Sequence, residues 1–281
     1  MTEITRVLAG IDTSENAVRA ADWAAALAAE LGAHLTVAHA LDLPDDHLVP
    51  PEHSPYVDRR HREGEQILFR ATRRIGERHP GLNITAELSE HDPARALADL
   101  ALDADLLVTG TRGHGGFTGM LLGSVSNKLA AHAPCPVVVV GADEPVDSRL
   151  ELVLGLAAGE AAEPIEFAFR LADRLGLTVH AVRAFEPVIV LGGYYEQTLP
   201  AVAEDLEALL KPARHRYPDV PVTVEPWQGA AVPALVQAGR GALLTVVGSH
   251  RRRGPLSFGP GHVVHGLLSH SATPVAVVPI G

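Results

Sequence analysis

The stretch GTRGHGGFTGMLLGSVS, residues 110–126, follows the apolar run Leu106-Leu107-Val108 and precedes a segment with helical spacing. Its glycines therefore fall in a strand-to-helix turn. The pattern is Gly110, two residues, Gly113, nine residues, then Gly123-Ser124-Val125-Ser126. Glycine at 110, 113 and 123 is expected to permit positive φ and close backbone approach to a ligand. Ser124 and Ser126 stand where the next helix begins, and a helix start presents unpaired N–H groups, hydroxyls and the positive dipole end. The reading is a phosphate cradle; the plainer one is a glycine-rich surface loop before an ordinary capped helix.

Upstream, Thr5 to Ile11 reads as a strand followed by Asp12-Thr13-Ser14-Glu15. Any of Asp12, Thr13 and Ser14 can cap a helix beginning near Ala17. That helix ends at Gly32, and His34 to Ala40 is the second strand. Asp42 to Pro55, with four prolines, reads as a loop. Tyr56 to His79 is a long helix whose arginines are interspersed with Glu63, Glu65 and Glu77, the pattern of a solvated charged face. Asn83 to Leu88 is the third strand, Pro93 to Leu102 a helix and Asp105 to Thr109 the fourth strand. After the glycine-rich stretch come a helix to about His132 and the strand Pro136 to Val140. This succession predicts an α/β fold, a parallel sheet covered on both faces with its ligand at the carboxyl edge. Asp12 and the glycine-rich turn both fall there.

At 281 residues the chain is long for one domain. The second half repeats the first: Gly155 and Glu160 follow a strand as Gly10 and Glu15 do, at an offset of 145, and Val246-Val247-Gly248 echoes Val108-Thr109-Gly110 at 138. Pro274-Val275 echoes Pro136-Val137, again at 138. The expected domains are 1–143 and 150–281, with the polar junction Asp143 to Arg149 between them.

The start, MTEITRVLAGID, lacks a signal-peptide pattern, and Asp22 and Glu30 interrupt the alanine-rich segment from Ala17 to Leu31. A soluble, cytoplasmic protein is expected. Net charge is −11, which argues against nucleic acid or an anionic membrane as partner. Residues 1–148 hold 12 basic against 22 acidic side chains, so a polyanion there needs local compensation from Arg112, backbone N–H groups or a divalent cation. Cys135, the sole cysteine, lies between Pro134 and Pro136 and reads as a buried filler.

The spacing from Gly110 to Ser126 resembles the nucleotide-binding motif of the universal stress protein family, in its ATP-binding branch. The resemblance spans the whole chain, strongly in the first half and more weakly in the second. It implies two tandem Rossmann-like (adenine nucleotide alpha hydrolase-like) domains, each a five-stranded parallel sheet with helices on both faces. It also implies ATP, with or without Mg2+, as ligand, AMP or another adenine nucleotide being the alternative, and a regulatory role in stress or dormancy through an unnamed protein partner. Asp12 matches the family's adenosine-contacting Asp, with Gly10 and Ser14 beside it. Val37 and Ala40 match the wall against the base, though ordinary core accounts for them equally. Gly110, Gly113, Gly123, Ser124, Val125 and Ser126 match the phosphate-binding turn; within it Arg112 is a candidate for charge compensation, and His114, beside Gly113, either reaches a phosphate or points to water. In the family the fifth strands pair across a two-fold axis, so Val137 to Gly141 and Val275 to Ile280 are expected to form an intrachain pseudo-dimer; the sequence leaves open a further homodimer.

The second copy departs from this pattern. Ala157 stands where the first copy has Asp12, Arg251 replaces the middle glycine, and His262 and Val264 replace the two serines. One nucleotide site per chain is expected, the opposing reading being that Arg251, Arg252 and Arg253 form a different anion receptor. His262, His265 and His270 have no carboxylate or cysteine at a zinc spacing, so no metal site is assigned. Two enzymatic alternatives stand beside the regulatory reading. A slow ATP hydrolase lacks both the Walker glycine-lysine motif and a carboxylate inside residues 110–126. An NAD(P)-binding oxidoreductase would use Gly113, Gly115 and Gly119, but these follow the fourth strand and have no acidic ribose partner downstream.

Overall fold

Strand β1 (Arg6–Gly10) runs into helix α1 (Glu15–Leu31), whose alanines at 17, 20, 21, 24, 25 and 28 recur every three or four residues and are all buried. A face of alanine lets α1 lie close against the sheet. Ser14 caps its start, Oγ accepting from the Ala17 N–H, and Gly32 closes its end at φ 66°. The computed structural model describes residues 3–43, 55–111, 122–141, 150–186, 198–250 and 260–281. Most of the expected proline-rich loop and the junction from Asp143 to Arg149 fall outside these. The first unit, Thr2–Ala142, continues with β2 (His34–Ala40), α2 (Pro55–Arg78), β3 (Ile84–Ser89), α3 (Pro93–Leu100) and a short 3-10 turn. It ends with β4 (Leu106–Gly110), α4 (Ser124–His132) and β5 (Val137–Val140).

The strands are parallel in the order β3-β2-β1-β4-β5. Sequence-adjacent β1 and β2 pair, but β1 also pairs with the distant β4, Val7 opposite Leu106 and Ala9 opposite Val108. The chain's direction of travel reverses there, and in open α/β sheets such a reversal is where a ligand crevice lies outside the carboxyl ends, here those of β1 and β4. Asp105 fixes that pairing from the amino edge: its Oδ2 accepts from the Thr5 and Arg6 N–H groups and the Thr5 hydroxyl, each at 2.9 Å. β4 starts at Leu106, one residue beyond the expected Asp105, whose own N–H still donates to the Arg6 carbonyl at 2.9 Å.

Helix α2 buries Gly64, Leu68, Ala71 and Ile75 and turns its charged side outward. Some of its arginines also make contacts: Arg74 and the exposed Arg78 reach Asp22 of α1 at 3.0 and 2.6 Å, and Arg60 donates to the Leu41 carbonyl.

The second unit, Asp143–Gly281, repeats the plan with β6 (Glu151–Gly155), α5 (Ala162–Leu175), β7 (Thr178–Phe185) and α6 (Leu199–Arg216). Then come β8 (Val222–Gln228), α7 (Ala231–Ala238), β9 (Leu244–His250), α8 (His262–His270) and β10 (Val275–Ile280). Its parallel order is β10-β9-β6-β7-β8. The two tandem α/β units match the fold expected from sequence. No helix among the described residues is long and apolar enough to cross a membrane.

Asp105→Ala removes the acceptor for three hydrogen bonds that register β1 against β4. It is expected to lower the unfolding free energy of the first unit by about 2 kcal/mol, read by urea denaturation.

Candidate functional site

Gly10, Ala40 and Gly110 end three adjacent strands, β1, β2 and β4, so the sheet brings their carboxyl ends to one edge. Asp12 and Ser14 leave β1 at that edge. Asp12 is half-buried, and its Oδ1 accepts from the Ser14 N–H at 2.9 Å and the Ser14 hydroxyl at 2.5 Å. Ser14 thus takes the capping role that the sequence left open among three residues, while steering the Asp12 carboxylate. Val37 is fully buried in mid-strand, opposite Ala9 and Ala86. It forms core beneath the edge, whereas Ala40 stands half-buried at the strand's end.

Helix α4 begins here too. Its N-cap, Gly123, has no side chain to offer, in contrast to Ser14 on α1 and Asp92 on α3, which accept from their own helices' first-turn amides. The first-turn N–H groups of α4 belong to Ser124, Val125 and Ser126, and a helix start without its own cap is a natural anion receptor. Ser124 is exposed. Ser126 is buried, its hydroxyl donating to the Gly110 carbonyl at 2.6 Å and lying 3.0 Å from Thr109 Oγ1. The serine pair therefore divides: Ser124 faces outward, and Ser126 ties α4 to the end of β4.

The conformations expected of the glycines need correction. Neither Gly110 nor Gly123 has positive φ; Gly123 lies at φ −73° and ψ 154°, ordinary extended backbone. Gly110 is required for a different reason. A Cβ there would lie 2.8 Å from the carbonyl carbon and oxygen of Asn16 and 3.0 Å from the Ala17 nitrogen. Glycine lets the start of α1 cross the end of β4 in contact, backbone against backbone. Arg112, Gly113 and His114 lie outside the described residues.

The equivalent edge of the second unit is built differently. Ala157, where the first unit has Asp12, is exposed, and its N–H donates to Glu160 Oε2 at 3.0 Å. The other oxygen of Glu160 accepts from the Ala161 N–H at 3.3 Å. A Cβ placed on Gly248 would lie 2.9 Å from that same Oε1 and 2.6 Å from Ile280 Cδ1. The unit's own carboxylate thus sits against the end of β9. Sequence comparison of the halves identified the loss of Asp12 but not this replacement, since Glu160 aligns with the exposed Glu15. On α8, His262 and His265 are exposed, and the described residues contain no grouping suited to a metal ion. Arg251, Arg252 and Arg253 lie outside the described residues.

The sequence model of the Universal stress protein family matches residues 3–141 and again residues 153–279. The chain belongs to this family. A universal stress protein of Mycobacterium tuberculosis is 32% identical over 285 residues, spanning 96% of both chains. Another, from Thermus aquaticus, is 38% identical over 136 residues, 48% of this chain and 96% of its own. The crystal structure of a universal stress protein from Archaeoglobus fulgidus shares the fold at a TM-score of 0.75, with 19% identity over 98% of this chain and 96% of that one. Membership of the universal stress protein family and the tandem arrangement expected from sequence are thereby borne out.

Gly110→Ala is expected to cost about 1–3 kcal/mol by overpacking against Asn16. Gly76→Ala, a helical site with nothing within 4 Å of the added carbon, should be neutral or stabilising by up to about 1 kcal/mol. Parallel urea melts of the two variants measure the contrast.

Proposed function

We propose that the first unit binds an adenine nucleotide, ATP foremost, and that the chain acts as a stress-response regulatory protein rather than as an enzyme. One observation carries this reading: the start of α4, whose N-cap Gly123 offers no side chain, and the steered carboxylate of Asp12 stand at the same edge of the sheet, where strand order reverses between β1 and β4. An acceptor-only carboxylate suits ribose hydroxyls, and a row of backbone N–H groups suits phosphate. Residues at this edge fit the ligand in chemical type. Arg112 or a bound Mg2+ would supply the charge compensation that an acidic unit requires.

Binding is proposed in the first unit only. In the second, Glu160 fills the space beside Gly248 and already accepts the Ala157 and Ala161 amides. Its negative charge opposes a polyphosphate at the same place, and the serines are replaced by His262 and Val264. Storage rather than turnover is supported by the lack of any carboxylate among residues 110–126 to orient an attacking water.

Titration calorimetry of the full chain with ATP is expected to give one site. Asp12→Ala should weaken binding by about ten- to a hundredfold, the loss expected for charged hydrogen bonds. Gly123→Asp, which places a carboxylate at the start of α4, should abolish it. Unchanged affinity in both variants, or two equal sites in the parent, would refute the assignment; chromatography of the nucleotide after long incubation should return it intact.

A further inference from the structure

β1 and β2 separate immediately after Ile11, whose N–H makes a last rung to the Ala38 carbonyl at 2.8 Å. The Ile11 carbonyl is met by a side chain instead: His39 Nδ1 lies 2.8 Å away, in a buried position. A carbonyl only accepts, so Nδ1 carries the proton and the imidazole is the donor. The ring lies against α2: a Cβ on Gly64 would meet Leu41 Cδ2 at 2.6 Å, Leu88 Cδ1 at 2.7 Å and His39 Cδ2 at 3.3 Å, so the imidazole packs beside these leucines under the glycine.

The next residue after the held carbonyl is Asp12, and two further on is Ser14, which binds Asp12 and caps α1. From this chain of contacts we infer that His39 is a positioning residue for the nucleotide site. It replaces the missing ladder rung, pins the peptide between Ile11 and Asp12, and so sets where the Asp12 carboxylate stands at the mouth of the crevice. His39 touches no ligand in this role. The inference rests on the nucleotide reading given above. It extends that reading to a residue whose side chain faces α2 rather than the crevice.

Two variants separate positioning from mere filling. His39→Leu fills the cavity and removes the donor. His39→Asn keeps an N–H donor close to the place of Nδ1. Amide hydrogen exchange of ligand-free protein over residues 11–16 should accelerate about tenfold in His39→Leu and return toward the parent value in His39→Asn. ATP affinity should fall about tenfold in the first and recover to within about threefold in the second. Unaltered exchange in His39→Leu, or accelerated exchange with unaltered ATP affinity, would overturn the role. Equal losses in both variants would also overturn it, since they would mark His39 as packing alone. If the parent chain itself fails to bind ATP, the nucleotide reading falls and this inference with it; exchange data from the ligand-free protein would then still show whether His39 holds the turn.

Discussion

The parallel pairing of β1 with β4 is the constraint from which the rest of the first unit follows. The two strands are separated by about a hundred residues and are joined only after the chain has built β2 and β3 on one side. Asp105 offsets the cost of bringing them together by accepting three hydrogen bonds at their amino ends. At the carboxyl ends the same pairing has the opposite effect, because the chain leaves β1 toward β2 and leaves β4 toward β5. A crevice opens where the connections diverge. Gly10, Asp12, Ala40, Gly110 and the start of α4 stand at that edge.

Close approach is the second requirement, and small residues meet it. The alanine face of α1 and the bare backbone at Gly110 allow the helix start to press on the strand end, with Asn16 in contact. That contact brings the start of α1, just after Asp12, against the end of β4, which leads toward α4. Ser126 then closes the arrangement by hydrogen-bonding the Gly110 carbonyl. The motif's residues are therefore divided between building the rim and facing across it. Gly110 and Ser126 build; Ser124 and Asp12 face outward.

The fold was readable because each element carried its own signal. Buried parallel strands such as Leu106–Gly110 and Val137–Val140 are nearly unbroken apolar runs, and α1 announces itself by its alanine spacing and by Gly32 at its end. Boundaries differ by a residue or two, as at Asp105, because strand ends carry no sharp local signal. The site was less legible. Spacing marked the glycines and serines but did not say which backbone would touch Gly110, nor that the Ser126 hydroxyl would be spent inside the protein. Those are consequences of the β1–β4 register, a long-range property. His39 and Glu160 carried no motif at all. One is defined by where β1 and β2 part, the other by a carboxylate folding back onto Gly248, and neither event leaves a local pattern.

Tandem duplication gave the two units the same rim and left them free to diverge. In the second, the Glu160 carboxylate lies against Gly248, whereas in the first the uncharged backbone of Asn16 packs against the matching Gly110, so the copies are alike in architecture and unequal in the charge they place at that point. The most direct check of that inequality is native mass spectrometry of the full chain, freshly purified without added nucleotide and then again with saturating ATP. The expected result, in both spectra, is a mass increment of a single adenine nucleotide per chain. A nicotinamide dinucleotide, two nucleotides per chain, or an unliganded chain at saturating ATP would contradict it.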